Sequence, residues 1–264
     1  MAKTDYQQRF AATGRLYGQQ LIDVFQQLHV VVIGVGGVGS WAAEALARNG
    51  IGFITLIDHD KISESNINRQ IHSLDDSIDR PKVEVMKERI HLINSFCQVT
   101  SIKEMLTEDN CQSLLQHVDY VIDAIDSVKQ KAALLNYCKR SKIPVITTGG
   151  AGGLSDPTQI TIADLSKTYN DPLAAKIRYL LRSKYQFSRN PKSKFAIDCV
   201  FSTEQAVYPQ SDGSVSYTKP TVKGLRLDCN YGYGSSVCVT SSFGMIAVAR
   251  ILEKIKHKIM LGQL

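Results

Sequence analysis

Three glycines in the sequence have the type and spacing of a phosphate-binding loop. Gly34, Gly36 and Gly39 form a G-x-G-x-x-G pattern, and Gly37 adds a fourth glycine within it. Such a loop allows a tight turn and lets backbone N–H groups approach phosphates at the start of a helix. Asp58 follows at the end of the next apolar run, where a carboxylate accepts hydrogen bonds from ribose hydroxyls. Together these residues predict a nucleotide site, but they do not separate NAD from ATP.

Two basic residues and a second carboxylate have the chemistry to complete such a site. Arg69 and Lys82 follow the second apolar run, and Asp126 follows a later one. Cations beside a phosphate loop stabilise the negative charge that develops when pyrophosphate leaves, and Mg²⁺ prefers one or two carboxylates together with phosphate oxygens. A dehydrogenase has little use for these groups. They therefore favour ATP-dependent nucleotidyl transfer, with ordinary surface charges as the alternative.

These residues are positioned by apolar strands that alternate with amphipathic helices. The predicted strands are 30–33, 53–57, 120–123 and 144–147, and the predicted helices are 40–48, 83–93 and 129–139. Such alternation predicts a mostly parallel sheet whose ligands bind at the carboxyl ends of the strands. The glycine loop, Asp58 and residues 124–126 all lie at such ends. The sequence therefore predicts a Rossmann-like α/β fold with an ATP-binding glycine loop.

The chain of 264 residues has the length of one large α/β domain. We predict a single domain with an N-terminal helical arm (1–29), a Rossmann-like nucleotide-binding part (30–153) and a substrate-binding part (154–264). In the last part, short strands at 159–162 and 197–201 mix with helices at 172–181 and 242–258. These mixed strands and helices are expected to complete the same domain.

The positive charge of the chain is concentrated in one segment. The net charge is +6, from 31 basic and 25 acidic residues. The basic segment, residues 167–194, has eight basic residues and one acidic residue and is therefore +7 on its own. This pattern is typical of a surface that binds a polyanion such as RNA, and a solvated helix face is the alternative. The candidate RNA contacts are Lys176, Arg178, Arg182 and Lys184.

The cysteines and the apolar stretches bear on the compartment. The six cysteines form no C-x-x-C pair and are too sparse for a disulfide scaffold, which fits a reducing cytosol. Residues 1–10 lack the apolar run of a secretion signal. The stretch 234–252 resembles a membrane span in its hydropathy, but its serines, its threonine and Arg250 indicate a buried helix. We therefore expect a cytoplasmic protein.

The motifs of the nucleotide site resemble the ubiquitin-activating-enzyme-like (E1-like) adenylyltransferases of the ThiF/MoeB type. The resemblance is carried by GVGGVG at 34–39 and SNINRQ at 65–70, together with Asp58, Lys82 and Asp126. That family adenylates a carboxylate with ATP and Mg²⁺. The resemblance assigns the phosphates to the glycine loop and the two cations, the ribose to Asp58 and magnesium to Asp126. The nucleotide-binding residues that it implies are Gly34, Gly36, Gly37, Gly39, Asp58, Asn66, Arg69, Gln70 and Lys82.

The same resemblance implies a homodimer, because in that family an N-terminal arginine of the second subunit reaches the phosphates. Arg9 and Arg15 are both candidates, and Arg15 is the preferred catalytic arginine. Many members that activate carrier proteins have two C-x-x-C pairs that bind structural zinc. This sequence has none, so we expect no zinc.

Further stretches are similar to one branch of the family, the tRNA threonylcarbamoyladenosine dehydratases. They lie at 41–48, 121–127, 147–153, 171–176, 198–204 and 208–213, so the resemblance covers nearly the whole chain. That branch converts threonylcarbamoyladenosine at position 37 of tRNA to its cyclic form. The resemblance implies adenylation of the threonyl carboxylate and then attack by the neighbouring carbamoyl group, with tRNA and not DNA as the partner.

Ring closure of this kind needs no dedicated nucleophile, so Cys199, Cys229 and Cys238 are expected to be dispensable. Whether any cysteine carries sulfur stays an open question, because relatives are linked to cysteine desulfurases and sulfur-acceptor proteins. Two other functions remain as alternatives: activation of the C-terminus of a sulfur-carrier or ubiquitin-like protein, and NAD-dependent oxidoreduction. The basic segment argues against the first. The cations grouped with Asp126 around the phosphate loop argue against the second.

Overall fold

Two short helices form the N-terminal arm. The computed structural model describes residues 5–218 and 233–262. Helix α1 (Tyr6–Tyr17) begins at Asp5, whose side chain accepts a hydrogen bond from the N–H of Gln7 (2.9 Å). Helix α2 (Gln19–Gln27) follows directly after Gly18, which has a φ of +101°. Glycine adopts this conformation without strain, so Gly18 supplies the turn between the two helices.

Seven strands form one sheet in the order β3-β2-β1-β4-β5-β7-β6. The strands are β1 (His29–Ile33), β2 (Phe53–Ile57), β3 (Gln98–Ile102), β4 (Tyr120–Asp123), β5 (Val145–Thr148), β6 (Ile160–Asp164) and β7 (Asp198–Ser202). All neighbouring pairs are parallel except β6 and β7. The strand order reverses between β1 and β4, and ligands of such sheets bind beside the carboxyl ends at that point. The predicted mostly parallel α/β sheet is confirmed.

Helices cover both faces of this sheet. They are α3 (Gly39–Arg48), α4 (Lys82–Ile93), α5 (Cys111–Leu114), α6 (Val128–Arg140), α7 (Pro172–Lys184) and α8 (Val237–Met260). Val30 and Val32 of β1 belong to a core with the arm, α3, α4 and α8, whereas Val31 and Ile33 pack with α5 and α6. Because both faces are covered, β1 is a continuous apolar run and does not alternate with polar residues.

The sheet extends across the two larger predicted parts of the chain. β7 lies within 154–264 and pairs with β5 of the part 30–153, with Thr147 opposite Cys199. A separate hairpin is formed by β8 (Tyr208–Pro209) and β9 (Val215–Ser216). The nucleotide-binding part and the following part therefore share one sheet.

The C-terminal apolar stretch forms α8, which packs against α3. A Cβ atom at Gly244 would lie 2.6 Å from the carbonyl oxygen of Val38, so this helix contact requires a glycine. The helix begins at Val237 and not at the predicted residue 242, because the Ser236 side chain caps it by accepting a hydrogen bond from the N–H of Cys238 (3.3 Å). Over residues 5–218 and 233–262, no helix is long and apolar enough to cross a membrane.

Candidate nucleotide and adenylation site

The glycine loop joins β1 to α3 and is folded tightly on itself. Gly34 has a φ of +83°, and its N–H donates to the carbonyl of Ile57 (2.9 Å). A Cβ atom at Gly34 would lie 2.7 Å from the carbonyl oxygen of Ala124, and one at Gly39 would overlap the Gly34 carbonyl. Larger residues are excluded at both positions. The loop therefore stays close to the carboxyl ends of β2 and β4 and presents the N-terminus of α3.

Asp58 braces this loop from the end of β2. Its carboxylate accepts hydrogen bonds from the N–H of Val35 (2.6 Å) and from the N–H of Asp60 (2.9 Å). The side chain is largely buried. A carboxylate has about four lone-pair positions, so two remain for the hydroxyls of a ribose. The structure thus gives Asp58 a role that the sequence did not predict, as the residue that fixes the glycine loop.

Arg69 lies against the glycine loop from the segment that follows β2. Its Cγ atom would be 3.3 Å from a Cβ atom placed on Gly37. The guanidinium donates to the carbonyl of Ser65 (2.5 Å) and to the side chain of Asn68 (2.9 Å). The indole N–H of Trp41 in α3 donates to the backbone carbonyl of Arg69 (3.0 Å). Side chain and backbone of Arg69 are therefore both held beside the glycine loop.

Buried polar atoms without partners lie near the same loop. Gln70 has its side-chain nitrogen 3.9 Å from a Cβ atom placed on Gly36, and its Oε1 has no hydrogen-bond partner among the described residues. The hydroxyl of Ser40, buried in the first turn of α3, likewise has none there. Buried polar atoms are almost always hydrogen-bonded, so these two fit a site that receives a polar ligand. Asn66 has a structural contact instead, since its side chain accepts from the N–H of Ser63 (3.1 Å).

Lys82 is buried at the start of α4 and is held by an ion pair. Its Nζ atom lies 2.8 Å from a carboxylate oxygen of Asp60. Asp60 in turn donates its N–H to Asp58. A short series of contacts therefore connects Lys82 to the carboxylate that braces the glycine loop, and places all of them at one end of the sheet.

Asp126 lies three residues beyond the end of β4. Its neighbour Ala124 donates its N–H to the carbonyl of Ile33 (2.9 Å) and contacts Gly34, which places this segment beside the glycine loop. The Asp126 side chain is exposed and, within the described parts of the chain, makes no hydrogen bond or ion pair. Among the described residues, no protein group therefore competes with a ligand for this carboxylate.

A buried ion pair that the sequence did not predict supports the segment before Asp126. The Lys131 ammonium in α6 lies 3.0 Å from a carboxylate oxygen of Asp123 and donates to the carbonyl of Ile125 (3.0 Å). Thr147 donates its hydroxyl to the same carboxylate (2.6 Å). Burial raises the pKa of Asp123, and the ammonium of Lys131 opposes that rise. The pair fixes the backbone that carries Asp126. The sequence feature that could have revealed this ion pair is Lys131 itself, a lysine five residues after Asp126 on a helix with an apolar face.

The glycine-rich loop after β5 connects this end of the sheet to α7. Asp171 caps α7 by accepting from the N–H of Ala174 (2.8 Å), and it also accepts from the N–H of Gly150 (3.0 Å). A Cβ atom at Gly149 would overlap the Asp171 carboxylate. Burial raises the pKa of Asp171, which the hydrogen bonds from Ala174 and Gly150 oppose. The start of α7 is therefore fixed at the same end of the sheet as the nucleotide site.

The four candidate RNA-contacting side chains on α7 differ in their contacts within the chain. Arg178 donates to the Thr168 hydroxyl, the Arg182 guanidinium lies 5.3 Å from the centre of the Phe195 ring, and Lys184 pairs with Glu108 (2.5 Å). Lys176 is exposed, and within 5–218 and 233–262 it has no polar partner. The four side chains thus do not form one free face of the helix.

The two candidate arginines of the arm lie at the opposite end of the sheet. Tyr6 donates its hydroxyl to the carbonyl of Gly50 (2.5 Å), which precedes β2. Arg9 donates to the carbonyl of Ile93 at the end of α4. Arg15 is exposed in the last turn of α1 and has no partner within the described chain. Neither arginine lies near the glycine loop of its own chain, and Arg15 is the one left uncommitted.

The first turn of α8 also adjoins the nucleotide site. The Thr240 methyl group would lie 3.4 Å from a Cβ atom on Gly37, and Asn68 donates its side-chain N–H to the carbonyl of Ser235 (3.1 Å). Cys238 in this turn is exposed, whereas Cys199 is buried and its pKa is raised by that burial. Cys229 lies outside the described residues.

Comparisons with known proteins match this arrangement. The ThiF family model matches residues 8–260. The tRNA threonylcarbamoyladenosine dehydratase of Escherichia coli K12 is 54% identical over 255 residues, which cover 96% of this chain and 95% of that protein. The solved E. coli tRNA N6-threonylcarbamoyladenosine dehydratase in complex with ATP has a TM-score of 0.87 and 48% identity, and the match covers 98% of both chains.

A carrier-activating relative is matched over a shorter length. The molybdopterin-synthase adenylyltransferase of Haemophilus influenzae is 33% identical over 147 residues, which cover 53% of this chain and 60% of that protein. The similarity to the dehydratases extends instead over the nucleotide site, the glycine-rich loop and the basic segment. The chain therefore belongs to the ThiF family, in which it groups with the tRNA threonylcarbamoyladenosine dehydratases.

Proposed function

We propose that this chain catalyses the ATP-dependent dehydration of N6-threonylcarbamoyladenosine at position 37 of tRNA, which closes that base into its cyclic form. The observation that carries the proposal is the 54% identity to a dehydratase over nearly the full length of both chains. The geometry supports it, because a braced glycine loop, two cations and the exposed carboxylate of Asp126 lie at one end of the sheet.

Adenylation solves a chemical problem of the substrate. A carboxylate is a poor electrophile, since its leaving group would be oxide. In the proposed reaction a carboxylate oxygen of the threonyl group attacks the α-phosphorus of ATP, and pyrophosphate leaves. The carbamoyl group then attacks the activated carbonyl carbon, loses a proton and expels AMP, so that the ring forms with net loss of water. Because both groups belong to one modified base, proximity supplies much of the acceleration.

The residues at the carboxyl ends of β1 and β2 have distinct parts in this scheme. The glycine loop and the N-terminus of α3 hold phosphates through backbone N–H groups. Asp58 accepts from the ribose hydroxyls, while Arg69 and Lys82 stabilise charge on the phosphates and on the departing pyrophosphate. Gln70 and Ser40 supply buried polar atoms that have no partner within the described chain and fit the polar surface of a nucleotide.

Asp126 would hold Mg²⁺. Its carboxylate is exposed and has no protein partner among the described residues, and it follows by two positions Ala124, which contacts Gly34 of the glycine loop. These features fit an ion bound by one carboxylate and by phosphate oxygens. Bound Mg²⁺ would neutralise charge on the triphosphate as pyrophosphate departs. Lys131 and Asp123 keep the segment that carries Asp126 in place.

Replacing Asp58 by alanine should raise the Kd for ATP by about tenfold to a hundredfold, because a charge-assisted acceptor worth roughly 1.5–3 kcal/mol is lost. The same change removes the hydrogen bond that braces Val35. Titration calorimetry of ATP into both proteins measures the effect, and Asp75→Ala, at an exposed site elsewhere, serves as the control. Equal affinities for wild type and Asp58→Ala would assign the ribose to another residue.

The enzyme acts as a homodimer in this proposal. The arm lies at the end of the sheet opposite the glycine loop, which favours a role for Arg15 at the site of a second subunit. Arg9 is already engaged with the carbonyl of Ile93, which favours Arg15 as the arginine that reaches the phosphates. The same proposal places the enzyme in the cytoplasm together with its tRNA substrate.

A cysteine desulfurase or a sulfur-acceptor protein as partner would require an accessible thiol. Among the cysteines within 5–218 and 233–262, Cys238 is exposed and the other four are buried. The proposed ring closure itself uses none of them. In this proposal no cysteine takes part in the dehydration. A partner that delivers or accepts sulfur would therefore belong to a second activity of the protein.

Replacing Lys176, Arg178, Arg182 and Lys184 together by glutamine should weaken tRNA binding and flatten its dependence on salt. Each lost phosphate contact lowers the log–log salt slope by about 0.7–0.9. Lys176→Gln alone should produce the first such step, because this lysine is exposed and has no polar partner in the part of the chain that the structure describes. Binding of tRNA across a potassium chloride series measures both, with ATP affinity as an internal control. A slope equal to that of wild type would show that the basic segment is a solvated helix face.

Pyrophosphate release tests the function as a whole. Purified protein and ATP are supplied with modified tRNA, with the same tRNA lacking the modification, or with a sulfur-carrier protein. The proposal requires stoichiometric pyrophosphate and cyclised base with modified tRNA only. Release with the carrier protein and none with tRNA would establish carrier activation instead.

A further inference from the structure

An exposed tyrosine stands in a groove beside the proposed adenylation site. The groove, which we call the α6–α7 groove, is shallow and open to solvent, and its described lining consists of Val128, Ala175, Lys176, Tyr179 and Leu180. Tyr179 is 73% exposed. Val128 and Leu180 are half-buried and pack on the core beneath. The groove thus has an apolar floor, one aromatic side chain and one cation.

The α6–α7 groove is close to the residues proposed to act on ATP. Val128 follows Asp126 by two positions, so their Cα atoms lie within about 7 Å of each other. The start of α7 is tied to the same end of the sheet by the hydrogen bond from Gly150 to Asp171 (3.0 Å). A substrate whose reacting group lies near Asp126 therefore has its neighbouring atoms within reach of Tyr179.

The lining of the groove selects the chemistry of its occupant. The described side chains that line it are apolar or cationic, and none of them is acidic. A flat aromatic ring joined to a negatively charged group complements this surface, because the ring can stack on Tyr179 while the charged group lies near Lys176. Bases of single-stranded RNA stack on aromatic side chains in this way. The rest of the basic segment continues along the same helix.

We infer that the α6–α7 groove binds an unpaired nucleobase next to the modified adenosine, through stacking on Tyr179 and a phosphate contact from Lys176. The inference rests on the proposed function. A base that enters an active site must leave the stack of its neighbours, so the neighbour loses a stacking partner. Tyr179 replaces that partner and holds the loop in the opened form.

A fluorescent base analogue tests this stacking directly. Modified tRNA is prepared with 2-aminopurine in the nucleotide on the 5′ side, or on the 3′ side, of the modified adenosine, and is mixed with wild type, Tyr179→Ala or Tyr179→Phe. Wild type and Tyr179→Phe should quench one of the two probes, and Tyr179→Ala should not. Loss of the stacking ring should also raise the Kd for tRNA by about tenfold to a hundredfold. Leu92→Ala removes an apolar side chain that is 85% exposed at the other end of the sheet and should change neither.

The outcomes separate this inference from the function on which it rests. Formation of cyclised base by wild type tests the function alone, without any fluorescence. Equal quenching by Tyr179→Ala and wild type, or no quenching by wild type, would overturn the inference. So would a shift of Tyr179→Ala from dimer to monomer in sedimentation with unchanged tRNA affinity, since a second copy of the chain would then cover the groove.

Discussion

Turnover of modified tRNA should fall at least about a hundredfold in Asp126→Asn, the loss seen when a main electrostatic stabiliser of a transition state is removed. ATP should still bind with nearly wild-type affinity, because the glycine loop, Asp58 and Arg69 are unchanged. The side chain is exposed and has no protein partner among the described residues, so the fold should not be affected. Single-turnover kinetics and calorimetry measure the two effects separately.

A matched control distinguishes an effect specific to Asp126 from the effect of removing any surface negative charge. Asp109→Asn removes another exposed carboxylate and should leave turnover unchanged. Raising the magnesium concentration should partly restore Asp126→Asn, since a weakened metal site is filled by mass action. Near-normal turnover of Asp126→Asn at limiting magnesium would remove this residue from the metal site.

Lys131→Met should destabilise the protein by about 3–5 kcal/mol, because it leaves the buried carboxylate of Asp123 without its counter-charge. The methionine fills much of the space of the lysine chain, so the loss reflects charge more than volume. Denaturant unfolding gives the free energy. Lys129→Met, at an exposed site two residues earlier in α6, should change it by less than about 0.5 kcal/mol.

The loss in Lys131→Met should depend on pH with a defined sign. Burial raises the pKa of Asp123, so without Lys131 the folded state binds a proton more readily than the unfolded state. Stability of the variant relative to wild type should therefore recover as the pH falls through the folded pKa towards the unfolded value of about 3.9. Asp123→Asn should restore much of the stability of Lys131→Met. A deficit that persists unchanged at low pH and in the double variant would mean that packing is responsible.

The central strands could be predicted from sequence because of where they lie. β2 was predicted at 53–57 and forms at Phe53–Ile57, since a strand covered on both faces is a continuous apolar run. β3 was not predicted. It is the edge strand Gln98–Ile102, whose side chains are partly exposed and polar, so its sequence lacks such a run. Pairing with β2, rather than local composition, makes it a strand.

The site was predictable where spacing alone defines the chemistry. The glycine pattern predicted a tight loop at the carboxyl ends of the strands, and in the structure Asp58 and Arg69 contact that loop. Lys131 could not be separated from an ordinary helix lysine, because its burial depends on Asp123 and Thr147 from two strands. The charge of the basic segment likewise does not show which of its side chains have partners within the chain, because such contacts depend on the tertiary structure.

Transfer of an isotopic label tests the central claim, adenylation of the substrate carboxylate, most directly. tRNA with ¹⁸O in both carboxylate oxygens of the threonylcarbamoyl group is cyclised in unlabelled water with ATP, and AMP is analysed by mass spectrometry. One ¹⁸O is expected in the phosphate of each AMP formed and the other in the ring carbonyl, because the oxygen that attacked the α-phosphorus leaves with it. Unlabelled AMP, with ¹⁸O found in orthophosphate or water, would contradict it.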